Sequence, residues 1–128
     1  RFIVVAAPES DALREASYFV QRLETEQMPL AGLVLNRVQE VRLPSLTAAT
    51  ARAGSERLNG EHPLVAELLR LHADRMETAA RQRRLAGSFT GAHPRVPVAS
   101  VIALADDVHD LEGLRTVGEL LASSEPAT

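Results

Sequence analysis

The sequence predicts an α/β fold in which three parallel strands are flanked by helices. Three short apolar runs carry this prediction, and each of them ends in a polar loop that leads into a helical pattern. Apolar runs without alternation are typical of parallel strands that are covered on both faces. The three runs are Phe2 to Ala7, Leu30 to Leu35 and Val96 to Leu104, and the second strand is expected to extend from Leu30 to about Val38.

The first two runs and the segment between them form a βαβ unit. Pro8 breaks the first run, and Ser10 or Asp11 is a suitable N-cap for a helix from Ala12 to about Gln27. Two strands joined by such a helix are expected to be parallel, with a right-handed crossover. One face of the helix carries the apolar residues Leu13, Ala16, Phe19, Val20 and Leu23.

Two further helices are predicted before the third strand. The first, Ser45 to Leu58, is alanine-rich and ends at the turn signal Asn59-Gly60. The second, Leu64 to Phe89, is the longest helical pattern and follows Pro63. One stripe of this long helix is formed by Leu64, Leu68, Leu71, Arg75 or Met76, and Ala79, with charged residues on the far side.

An acidic loop and a last helix follow the third strand. Pro97 is expected at the start of that strand or on a sheet edge. The last helix runs from Leu111 to Ala122, which completes a domain over residues 1–122, and residues 123–128 are predicted to be a disordered tail. The residues of this helix expected to face inward are Leu111, Leu114, Val117, Leu120 and Leu121.

Composition narrows the class of protein. The 128 residues carry a net charge of -3, which gives no reason to expect nucleic acid or an anionic membrane as a partner. The absence of cysteine excludes disulfides and thiolate–metal sites. Because the sequence has no apolar run of membrane-spanning length and no signal-peptide pattern, a cytoplasmic protein is expected.

All 14 basic residues are arginine. Without lysine, these residues cannot form a phosphate-binding loop of the GxxxxGK[ST] type or a Schiff base. The chain also begins inside a strand pattern at Arg1, which predicts a fragment of a longer protein. Nothing in the sequence resembles a complete catalytic centre.

Polar residues follow the first two strands, at the edge where open parallel sheets bind ligands. Asn36 offers one acceptor and two donors in a plane, which suits the edge of a purine base, and Arg37 lies beside it. The same pair also fits a simple strand terminator. Glu9 is placed either to bond a ligand or to favour the positive end of the helix that follows it.

The densest cluster of acidic and histidine residues lies in the loop after the third strand. Asp106, Asp107 and His109 offer carboxylate and imidazole ligands for a metal ion, but without an established metal-binding spacing. Solvated carboxylates that cap the next helix are the alternative interpretation. The isolated histidines, which are His62, His72 and His93, are expected to be structural.

Three segments, in this order, resemble the carboxyl-terminal portion of an ArsA/Get3-type P-loop ATPase. FIVVAAPESDALREASYFVQRL resembles the family's strand, glutamate and helix. LAGLVLNRV resembles its strand ending in Asn-Arg or Asn-Gln, and VIALADDVHDLEGL resembles its adenine loop and last helix. The similarity spans nearly the whole chain and is greatest to the bacterial anion-transporting, arsenical-pump-driving branch. It implies that the three strands belong to a doubly wound P-loop NTPase sheet.

The resemblance implies a nucleotide-binding role. Asn36 would contact the adenine of ATP, the loop from Ala105 to Val108 would close over the base, and Glu9 would lie near the nucleotide. ATP and Mg²⁺ would be the cofactors of a full-length ATPase that couples hydrolysis to anion transport or protein targeting. The implied nucleotide-binding residues are Glu9, Asn36, Arg37, Ala105, Asp106, Asp107 and Val108.

The implied partners are the missing upstream P-loop segment, a second copy or paralogous ATPase subunit, and a membrane transporter. Ala105 and His109-Asp110 stand where the family has Pro and Arg-Gly, and the Cys-x-x-Cys zinc clamp of the targeting branch is absent. This chain alone is therefore not expected to hydrolyse ATP. The alternative is a stand-alone, non-catalytic α/β module that uses its helices or a sheet edge for interaction or dimerisation.

Overall fold

A computed structural model describes residues 1–124 of the chain. Every predicted strand and helix is present within a few residues of its expected bounds. Residues 125–128 of the predicted tail lie outside the described residues. The elements are β1 (Phe2–Ala6), α1 (Ser10–Thr25), β2 (Leu30–Val38), α2 (Ala48–Leu58), α3 (Pro63–Ala92), β3 (Val98–Ile102) and α4 (Leu111–Ser123).

Three boundaries differ from the prediction for local reasons. Helix α1 has Glu9 at its N-cap position, in place of Ser10 or Asp11. Helix α3 continues past Phe89 and Gly91 to Ala92, because a glycine weakens a helix without ending it. Strand β3 begins after Pro97, which has no N–H group to donate to the sheet.

The chain divides into two compact units. Unit 1 comprises Arg1–Val38 and the described residues from Gln82 onward, and unit 2 comprises Gln39–Arg81. The sheet and α4 belong to unit 1, together with α1 and the last part of α3. Helix α2 and the first part of α3 belong to unit 2.

The sheet has the strand order β1-β2-β3, and both pairs of neighbours are parallel, which confirms the predicted α/β fold. Both crossovers move in the same direction across the sheet, and right-handed crossovers then place their helices on the same face. Helix α1 and the end of α3 do share one core on this face, which we call the packed face. Its buried residues are Ala6, Leu13, Ala16, Val20, Leu33, Leu35, Phe89 and Val98.

The opposite face of the sheet, which we call the open face, carries Ile3, Val5, Val34 and Val101. Among the described elements, α4 borders this face alongside β3. Ile3 and Val5 are 62% and 61% exposed, so the prediction that β1 is covered on both faces is wrong. The strand order is the cause, because it directs both crossover helices to the packed face.

Several residues that the helical patterns predicted to face inward are exposed. Phe19 is exposed because α1 contacts the sheet along Leu13 and Val20, on an adjacent stripe. Leu111 and Leu114 are exposed because α4 borders the sheet along only one of its sides. These apolar side chains therefore lie on the surface of unit 1.

Small residues occupy the buried positions of the two helices of unit 2. The predicted leucine stripe of α3 does not. Leu64, Leu68 and Leu71 of that stripe are exposed. The buried residues of this helix pair are Ala51, Ser55, Ala66, Ala73 and Ala79.

Polar contacts also join the helices of unit 2. Arg52 Nη2 of α2 is 2.9 Å from Asp74 Oδ1 and 2.8 Å from Glu77 Oε1 of α3. The hydrogen bonds to Glu77 and then Asp74 raise the pKa of Arg52 above its ordinary value. The ring of His72 bonds the carbonyl oxygen of Leu46 at 2.7 Å, which gives this histidine a structural contact.

Close approach of the backbone at Gly32 predicts a substitution that destabilises unit 1. A Cβ on Gly32 would lie 2.6 Å from the carbonyl oxygen of Pro97, which leaves no room for a methyl group between β2 and the start of β3. Gly32→Ala is expected to lower the free energy of unfolding by about 1–3 kcal/mol, measured by urea denaturation.

Gly87→Ala is the matched control for this change. Gly87 lies within α3, and a Cβ there would meet no atom within 4 Å. Since alanine favours a helix over glycine, the control is expected to raise stability by about 0.5–1 kcal/mol. Equal effects of the two substitutions would contradict the close contact at Gly32.

Candidate functional site

Strand β2 ends in a β-bulge that contains Asn36 and Arg37. Leu35 pairs with Ser100 and Val38 pairs with Ile102, so two residues of β2 stand opposite one residue of β3. Arg37 has a φ of 60°, in the left-handed region that residues other than glycine seldom adopt. The Asn36 Oδ1 atom accepts a hydrogen bond from the Arg37 backbone N–H at 2.9 Å. Bulges of this kind redirect side chains and are common beside binding sites.

A groove of about 920 Å³ runs along the open face of the sheet. Its floor includes Ile3, Val5 and Val34, and α4 forms a wall that includes Leu114 and Leu121. This volume is typical of small-molecule sites, which occupy roughly 300–1,000 Å³. Polar side chains line the groove at the carboxyl edge of the sheet, a region that we call the rim: Asn36, Arg37, Asp106, Asp107 and His109.

One ion pair connects the bulge to the loop that follows β3. Arg37 Nη2 is 3.4 Å from Asp107 Oδ1, and both side chains are about 70% exposed. An exposed pair at this distance contributes little to stability, roughly 0–1 kcal/mol. A ligand at the rim can therefore break this ion pair at a small cost in free energy and interact with the charge of Arg37 or of Asp107.

The loop after β3 is fixed at both ends. The Ala103 backbone N–H donates to the Val38 carbonyl oxygen at 2.9 Å, which extends the pairing of β2 and β3. At the other end, Asp110 Oδ1 accepts from the Gly113 N–H at 2.8 Å and caps α4. Capping by a loop acid was the alternative to metal binding, and Asp110 has this role. The anchored loop holds Val108 against the N-terminal turn of α4, next to Gly113.

The structure brings most of the predicted site residues together. Five of the seven line the same groove. Glu9 and Ala105 are not among the lining residues. Glu9 is exposed and occupies the N-cap position of α1, which agrees with the helix-end interpretation of this residue. The five that share the groove are Asn36, Arg37, Asp106, Asp107 and Val108.

The apolar body of the groove was missed by reasoning from motifs. Ile3 and Val5 belong to the predicted strand core, and Leu114 belongs to the predicted inward side of the last helix. The sequence of β1 does contain a signal for this surface, because it has no polar residues at alternate positions. Such a strand is expected to have apolar surroundings on both faces. Burial within the chain and a binding surface both meet that expectation.

The histidines and the acidic loop do not assemble a metal site in the described part of the chain. No group of three or more His, Asp or Glu residues able to hold a metal ion occurs there, and His109 lines the groove without completing one. His93 is buried against Phe89, with ring centroids 4.8 Å apart. His93 therefore contributes to the core, as expected of a structural histidine.

No protein-family model matches the chain, and no curated protein matches it. In the part of the chain that the structure describes, no helix is long and apolar enough to cross a membrane. Inference of function therefore depends on the geometry and chemistry of the groove and its rim.

The left-handed conformation of Arg37 predicts the relative stabilities of two variants. Glycine adopts a φ of 60° without strain, whereas alanine keeps the steric cost of its Cβ. Arg37→Gly is expected to unfold with a free energy about 0.5–1 kcal/mol higher than that of Arg37→Ala, by urea denaturation. Since both variants lose the ion pair with Asp107, their difference isolates the backbone. An alanine variant as stable as the glycine variant would refute the strained bulge.

Proposed function

We propose that this chain is the nucleotide-base-binding carboxyl-terminal part of an ArsA/Get3-type ATPase that acts in the cytoplasm. The supporting observation is the bulged end of β2, which holds Asn36 at the carboxyl edge of a parallel sheet, in one groove with Asp106 and Asp107. Open parallel sheets bind ligands at this edge. The resemblance of the three strand-and-loop segments to this ATPase family agrees with the same site.

The chemistry of the rim suits an adenine base. A side-chain amide pairs with the N6 amino group and N7 of adenine through its oxygen and its NH₂ group. Asn36 is exposed at the rim, and its short side chain on a strand end restricts the directions in which it can bond. Val34 and Val108 supply apolar surface in the same groove for the faces of the base. The ion pair of Arg37 and Asp107 lies at the rim of the same groove.

Phosphate binding and hydrolysis are assigned to another segment. This chain has no lysine for a phosphate-binding loop, so that loop and the Mg²⁺ ligands would come from the upstream segment. That segment would stabilise the charge of the transition state, while the rim would fix the position of the nucleotide. Hydrolysis would then serve anion transport through a membrane partner, or protein targeting.

A second function is favoured by the open face. Ile3 and Val5 form an exposed apolar row on β1, and contiguous apolar surface of this kind often marks an interaction site. A non-catalytic α/β interaction or dimerisation module would use this surface and would need no nucleotide. The two functions differ in whether adenosine binds at the rim.

Titration of the chain with adenosine, followed by calorimetry, tests the nucleotide site. Weak binding in the millimolar range is expected, because adenosine lacks the phosphates that the upstream segment would bind. Asn36→Ala is expected to abolish this binding, and Asn36→Asp as well, since a carboxylate replaces the NH₂ donor. Guanosine, whose edge presents a different pattern of donors and acceptors, is expected to bind more weakly than adenosine.

Asn59→Ala is the matched control, because Asn59 is the other asparagine of the chain and lies at the end of α2. It is expected to leave adenosine binding unchanged. If adenosine still binds to Asn36→Ala, the adenosine site does not include the bulge. If ATP also failed to bind a longer version that carries the upstream segment, the ATPase proposal would be wrong.

A further inference from the structure

The body of the open-face groove has the width of one α-helix. Helix α4 borders the sheet alongside β3, and β1 lies two strands away, which is about 10 Å. Packed helices are separated by roughly 8–10 Å. A helix that lay over β1 would therefore contact Ile3 and Val5 below it and α4 beside it.

Helix α4 presents an apolar side to this space. Its half-buried residues, which include Val117, lie toward the sheet. A second side of α4, next to the first, is exposed, and its residues recur every three or four positions. Gly118 lies on this side, where a Cβ would meet no atom within 4 Å. The charged residues Arg115 and Glu119 lie farther round the helix. The residues of the exposed apolar side are Leu111, Leu114, Gly118 and Ala122.

Unit 2 carries an apolar helix surface that remains largely exposed, although Leu68 and Leu71 border the segment from Glu40 to Leu43 at a small cavity. Leu64, Leu68 and Leu71 of α3 are 72%, 58% and 46% exposed. They recur at steps of four and three residues and so form one stripe, which we call the α3 ridge. The ridge lies on the side of α3 opposite Ala66 and Ala73, which are buried. It is therefore available to another molecule.

We propose that the open-face groove of one chain binds the α3 ridge of a second copy. The two surfaces match in shape, because a helix-wide apolar groove in unit 1 meets an exposed apolar helix stripe of unit 2. They also match in length. The ridge and its next turn, Leu64 to Arg75, extend about 16 Å, and the five residues of β1 extend about the same distance.

The charges at the ends of the two surfaces are complementary. Arg75 continues the ridge by one turn, and Asp106 lies at the rim of the groove. Neither side chain forms an ion pair with another described residue. A ridge helix whose carboxyl-terminal end points toward the rim brings Arg75 close to Asp106. This pairing fixes the direction of the docked helix, antiparallel to α4.

The area available predicts a weak association. The exposed fractions of the large apolar residues in the groove and the ridge correspond to several hundred Å² of surface that one contact would bury. This area is smaller than the roughly 1,200 Å² or more of stable specific interfaces. The association is therefore expected to depend on concentration. It supplies a partner for the interaction module and does not require nucleotide binding.

Sedimentation velocity of the full chain over a concentration series tests the proposal. Self-association is expected for the unmodified chain, and Val5→Glu in the groove and Leu68→Glu in the ridge are each expected to abolish it. Both positions are exposed, so the variants should retain the fold, checked by circular dichroism and urea denaturation. Tyr18→Glu, on an equally exposed position of α1, is the control and should associate normally.

A mixture of the two disabled variants gives the sharper result. Val5→Glu retains an intact ridge, and Leu68→Glu retains an intact groove, so equimolar mixing is expected to restore association through one groove–ridge contact. A mixture of Arg75→Asp and Asp106→Arg exchanges the two charges between the ridge of one variant and the groove of the other. This mixture is likewise expected to associate more strongly than either variant alone. Adenosine titration of Asn36→Ala reports on the nucleotide site separately.

Each other outcome overturns the proposal. A chain that stays monomeric at every concentration has no such interface. Association that survives Leu68→Glu indicates contact between two grooves or two β1 edges, and association that survives Val5→Glu indicates contact between two ridges. Failure of the mixture to associate, when both variants are folded, excludes the groove–ridge contact itself.

Discussion

The order of the three parallel strands determines the rest of unit 1. Because β1, β2 and β3 follow one another across the sheet, both crossovers place their helices on the same face. Leu13 and Val20 of α1 and Phe89 of α3 then complete one core with the strands. The other face receives α4 beside β3 and is left apolar and exposed along β1. The packed face forms the core of unit 1, and the groove lies on the open face.

The elements were predictable from the sequence because each depends on local pattern. The unbroken apolar runs located all three strands, and β2 has the predicted bounds, Leu30 to Val38. The sides of the helices were not predictable in the same way. Leu68 of α3 and Leu114 of α4 lie on regular apolar stripes, but the identity of the packing partner decides which stripe is buried. In unit 2 the side chain of Ala66 is buried, and the leucines on the opposite side of α3 remain exposed.

The position of the site at one edge of the sheet was predictable from the sequence, but the backbone geometry of the site was not. Asn36 and Asp107 were placed at the same edge by the rule that parallel strands end together, and they do line one groove. The extra residue in β2 and the positive φ of Arg37 could not be predicted, because no glycine or asparagine at that position signals a left-handed conformation. The bulge is a feature of the strand register. Val38 still pairs with β3, although two residues of β2 lie opposite a single residue of β3 before it.

The open face and the rim are connected through alternate residues of β2. Val34 lies on the floor of the groove, and Asn36, two residues further, lies at the rim on the same side. A helix that covers Ile3, Val5 and Val34 excludes water from the floor and restricts the strand on which Asn36 is carried. If β1 faced water in the working protein, polar residues at Ile3 and Val5 would cost nothing in packing, yet both positions are aliphatic. An apolar layer over β1 would therefore both cover this surface and hold the side chain of Asn36 in place.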